Sequence, residues 1–83
     1  MSRMKDYIIE LANDLMTLTM ETLSPWNYEK ETLFYDCQDF LMSASAKEVE
    51  SQVFELCEND DRKENIALAK SIVKRVKKIR SQH

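Results

Sequence analysis

Few side chains in this sequence could do covalent or acid–base chemistry, and their spacing points away from it. His83 is the sole histidine and the last residue; chain ends are poorly held, which makes it a weak general base or metal ligand. Cys37 and Cys57 have no histidine near them in sequence, and both fall on apolar helical positions, where a thiol packs as a small hydrophobe and stays inert. Together with His83 they are one ligand short of the four that a structural zinc site takes. Glu55 with Glu58, and Asp60 with Asp61, are carboxylate pairs able in principle to hold a cation or move a proton. No calcium-loop spacing accompanies them, and such pairs usually belong to solvated surface or helix caps. The chain is read as non-catalytic, with no cofactor and no metal.

Binding chemistry is better represented. All 15 acidic residues lie in residues 1–69, whereas Lys70, Lys74, Arg75, Lys77, Lys78 and Arg80 crowd the last fourteen positions without an acid among them. Such a cluster could contact nucleic-acid phosphates or an acidic partner. It also suits the negative end of a helix dipole and keeps a helix soluble, and this plainer reading is favoured because the acidic remainder would repel a polyanion. A second set is aromatic. Tyr28, Tyr35 and Met42 recur every seven residues behind Leu33, Cys37, Phe40, Leu41 and Ala44. At roughly 100° per residue the two sets stand on opposite sides of a helix. One side faces the protein's own core; the other is left for a neighbour, and Tyr is a residue type that concentrates at binding hot spots. Phe54 also stands off its helix's apolar face, and Trp26 is read as an internal plug.

The elements that must position these residues follow from composition and period. Eighty-three residues make one domain, in which folding buries roughly 64% of the surface of the unfolded chain, so that apolar area covered by a partner adds materially to stability. There is no glycine and a single proline; tight hairpin turns and phosphate loops lack their usual residue, and helices are expected. Two thiols on apolar faces suit a reducing compartment, so they are expected unbridged and the chain cytoplasmic. No apolar run nears the roughly 20 residues of a membrane span.

Four helices are predicted, at about 3–22, 25–43, 46–58 and 61–80. The first carries Met4, Ile8, Leu11, Ala12, Leu15 and Leu18 on one face, widened by Ile9, Met16 and Met20, a stripe broad enough for a central helix. Ser24 before Pro25 is the expected cap of the second. Ser45 with Glu48, and Asp61 with Glu64, have capping-box spacing ahead of the third and fourth. The third presents Ala46, Val49, Val53, Leu56 and Cys57; the fourth presents Ile66, Ala69, Ile72, Val73, Val76 and Ile79.

The expected fold is all-α, a small four-helix bundle or orthogonal helical array. The expected function is a non-catalytic protein-interaction module, an adaptor, inhibitor or regulatory subunit with a protein partner and a tendency to form homo-oligomers. Tyr28, Tyr35, Met42 and Phe54 are its contacts. The alternative is a nucleic-acid-binding regulator that uses the basic last helix. In size and makeup the chain resembles small phage and mobile-element proteins that act on host machinery, a likeness of kind rather than of family.

Overall fold

The computed structural model describes the backbone of residues 3–22 and 29–82 and the side chains of residues 6–22 and 29–82. Four helices make up the fold: α1 (Arg3–Thr22), α2 (Lys30–Ser43), α3 (Ala46–Leu56) and α4 (Lys63–Ser81). No strand occurs among the described residues. The long dimension, 36 Å, slightly exceeds the ~30 Å that a twenty-residue helix spans.

Side-chain bonds fix the directions. Arg62 reaches Glu21 and Arg75 reaches Asp14 and Glu10, so α4 runs back along α1. Lys77 pairs with Glu50 while the Cys57 thiol donates to the Asn65 carbonyl, so α3 and α4 are also antiparallel. Arg80, at the far end of α4, holds the end of α2 through the Leu41 and Ala44 carbonyls. The result is an up-down-up-down bundle. Its packing is uneven around the ring: α1 packs on α2 and α4, α4 packs on α3, and α2 meets α3 only slightly. Among the described residues that fourth seam is open.

The core is the one the apolar period selects. Ile8, Leu11, Ala12, Leu15 and Leu18 of α1 are buried together with Leu33, Cys37 and Leu41 of α2, Val49 and Val53 of α3, and Ala69, Ile72, Val73, Val76 and Ile79 of α4. Met16 and Met20 pack against it from the side. Buried Thr19 keeps its hydroxyl satisfied by donating to the Leu15 carbonyl at 2.8 Å, one turn back, which leaves its methyl to pack.

Helix boundaries depart from the predicted ones at the start of α2, the end of α3 and the start of α4. Glu29 is extended (φ −78°, ψ 126°), so α2 starts at Lys30 and not at residue 25. Ser24, Pro25, Trp26 and Tyr28 lie outside the described residues. Glu29 itself makes no side-chain cap bond, although its carboxylate sits at the positive end of the α2 dipole. The Ser45–Glu48 capping box forms in both directions, at 3.2 Å and 3.4 Å. α3 closes at Leu56, two residues short of the expected end. The Asp61–Glu64 box does not form: Arg62 is the N-cap of α4 and has no side-chain cap bond. Asp60 organises the turn instead. It accepts the Arg62 backbone N–H at 2.9 Å, the Arg62 guanidinium at 3.1 Å and the Asn65 amide at 2.7 Å. This network draws Asn65 into the buried set, and Ile66, expected inside, is half-buried.

Candidate functional site

α2 divides cleanly into an inner and an outer face. Leu33, Cys37 and Leu41 are buried, and roughly 140–160° around the helix from Cys37, by the 100° step, Tyr35 and Met42 stand in solvent, 55% and 62% exposed. Phe34 is half-buried against the core and meets the Tyr35 ring edge-on, with centroids 5.6 Å apart. The tyrosine is thus held by an aromatic neighbour rather than waving freely. Ile9 on α1 is also exposed. Tyr28, the third member of the seven-residue spacing, lies outside the described residues.

Phe54 is exposed as its position suggests, but the structure does not join it to the α2 face. On α3 it stands on the flank of Glu50 and Cys57, the two residues that reach across to α4. The opposite flank of α3, with Gln52 and Glu55, is the one that looks towards α2.

The basic residues of α4 separate into two groups. Arg75 is half-buried and bridges Asp14 and Glu10; Lys77 binds Glu50 at 2.9 Å; Arg80 donates to two carbonyls at the end of α2. Lys70, Lys74 and Lys78 are exposed and form no ion pair with the described residues. They recur every four residues, about 6 Å apart along one side of α4. Half of the cluster read as phosphate contacts is therefore engaged by groups of the same chain.

The thiols are held in their unreactive form. Burial, and secondarily the adjacent Asp36 carboxylate, pushes the Cys37 thiol up to about 11. Burial and then Asp60 raise Cys57 as well. Both are free of disulfide. Since the thiolate is the nucleophile, neither is poised for attack at neutral pH. Among the described residues no three His, Cys, Asp or Glu side chains converge as a metal site requires, and no helix is long and apolar enough to cross a membrane.

Asp60 has the most perturbed carboxyl. The side-chain hydrogen bond from Arg62, then that from Asn65, then the Arg62 backbone N–H hold it well below the usual carboxylate range. A carboxyl lowered by folding adds stability at any pH above its unfolded value, and that stability disappears as pH falls through the carboxylate range towards the folded value. In thermal melts taken from pH 7 downward, the wild type should lose Tm more steeply below about pH 4 than Asp60→Asn, which carries no titrating group there. Parallel Tm curves for the two proteins would contradict this role.

No protein-family model, no curated protein and no solved structure matches this chain.

Proposed function

We propose that the chain is a non-catalytic protein-interaction module, an adaptor, inhibitor or regulatory subunit, that receives a protein surface on the outer face of α2. The observation that carries this reading is the contrast on one helix: its inner face is packed in the core, yet Tyr35 and Met42 remain mostly in water. Burying a side chain of this size from full exposure is worth about 1.5–3 kcal/mol, and with just over half of each still open a partner would gain about half of that. A small domain gains affinity and stability together when a partner covers them. Self-association is the simplest form of such a contact, since a two-fold axis would set two α2 faces against each other.

The test is the double variant Tyr35→Asp, Met42→Asp. Both positions are solvent-exposed, so the variant should fold with the helical content of the wild type by circular dichroism. It should sediment as a smaller species than the wild type and lose recovery of its protein partner in pull-downs. Unchanged mass and unchanged recovery, with the fold intact, would refute the reading. The alternative, nucleic-acid binding, now rests on Lys70, Lys74 and Lys78 beside an acidic body, and the α2 face gives it no support.

A further inference from the structure

Among the described residues, the open seam between α2 and α3 is a groove with an apolar floor and an acidic rim. Leu15 and Thr19 form the floor; Leu33, Cys37 and Phe40 form the α2 wall, and Leu56 with Gln52 forms the α3 wall, around a space of about 290 Å³. Through Gln52 and Leu56 it opens into a wider recess at the α3–α4 turn. Through Phe40 and Gln52 it continues outward past Glu48 and Glu55. Asp36, Glu55 and Asp61 border these openings, and none forms an ion pair with the described residues. The two cations nearby do not offset them fully. Arg62 is bound by Asp60 and Glu21, which leaves Lys47 alone on the outer stretch.

We infer that this groove docks one amphipathic helix of a partner protein, with apolar anchors on the floor and basic residues over the rim. A helix fits the chemistry better than an extended segment. Walls made of Leu33, Cys37, Phe40 and Leu56 offer no ladder of backbone groups, so an extended strand would bury its own N–H and C=O groups unpaired, whereas a helix arrives with them satisfied. α3 is 11 residues long, about 16 Å, so about three turns of the incoming helix are engaged, through anchors spaced i, i+3 or i+4, and i+7. The unpaired carboxylates select lysine and arginine on its flanks and repel acidic helices. The groove occupies the flank of α2 opposite Tyr35 and Met42, so this inference goes beyond the reading of the outer face, and either can fail alone.

The probe is a synthetic amphipathic peptide of about twelve residues, with leucines at the anchor spacing and lysines on both flanks, titrated into ¹⁵N-labelled protein. Saturable amide shifts are expected at Cys37, Phe40, Gln52 and Leu56. Binding should weaken about tenfold in Asp36→Lys, Glu55→Lys, two exposed positions whose change leaves the fold in place, and should persist in Tyr35→Asp, Met42→Asp. An absence of shifts overturns the inference, as do shifts centred on Tyr35 and Met42. Equal binding of the same peptide with glutamate in place of lysine overturns the charge selection. Groove shifts produced merely by concentrating the protein without peptide would make a second copy the occupant and overturn the assignment to a basic partner helix.

Discussion

Leu18→Ala should lower the free energy of unfolding by about 3–4 kcal/mol, within the range for leucine truncation in a closed core. Leu18 has no exposed surface and lies on α1, the helix that packs extensively on both α2 and α4 and also touches α3. A cavity there is walled by several helices, so no single one can move in to fill it. Total stability for a domain of this length is about 4–12 kcal/mol, so the loss would be about a quarter of it or more. Urea denaturation measures it as a lower midpoint at unchanged slope. Ile9→Ala is the control on the same helix: its side chain is 39% exposed, and it should cost under about 1 kcal/mol. Should the two variants lose equal stability, α1 would not be the central element and the packing order described above would be wrong.

How much of this was legible in the sequence depends on the range of the interaction. The apolar period of α1 identified Ile8, Leu11, Ala12, Leu15 and Leu18 because a helix repeats its inner face at fixed spacing whatever lies opposite. The Ser45–Glu48 box was legible for the same reason, since donor and acceptor lie within one turn of each other. Asp61–Glu64 has equal spacing but lost to Asp60, whose carboxylate gains Arg62 and Asn65 together. Arg62 is in turn anchored on Glu21, 41 residues away. No local pattern reports a contact of that separation. The cations of α4 show the same limit. Their helix face was readable, but which of them meet Asp14, Glu50 or the end of α2 depends on how the helices pair. The open seam was illegible in principle, because a helical period says which side is apolar and not which neighbour covers it.

Arg80 gives the second large effect. α2 stops at Ser43, and the last carbonyls of any helix lack an intrahelical partner. Here the Ala44 N–H closes on the Phe40 carbonyl at 2.8 Å. The Leu41 carbonyl and that of Ala44 accept from the Arg80 guanidinium, the latter at 2.8 Å. A cation from the last turn of α4 therefore caps the negative end of α2 and ties two helices that otherwise touch little. A hydrogen bond to a charged group contributes about 1.5–3 kcal/mol, and Arg80→Ala should cost about that much while speeding hydrogen exchange at the C-terminal amides of α2. Arg80→Lys should recover only part, because both carbonyls are reached by the one Nη2 atom, which lies a bond further from the backbone than a lysine Nζ. Lys74→Ala, at an exposed position without an ion pair among the described residues, should stay within about 0.5 kcal/mol of wild type. Equal losses for Arg80→Ala and Lys74→Ala would return Arg80 to the solvent-facing set and with it to the pool of phosphate contacts. A large loss for Arg80 alone removes it from that pool and leaves any polyanion to be held by the three lysines.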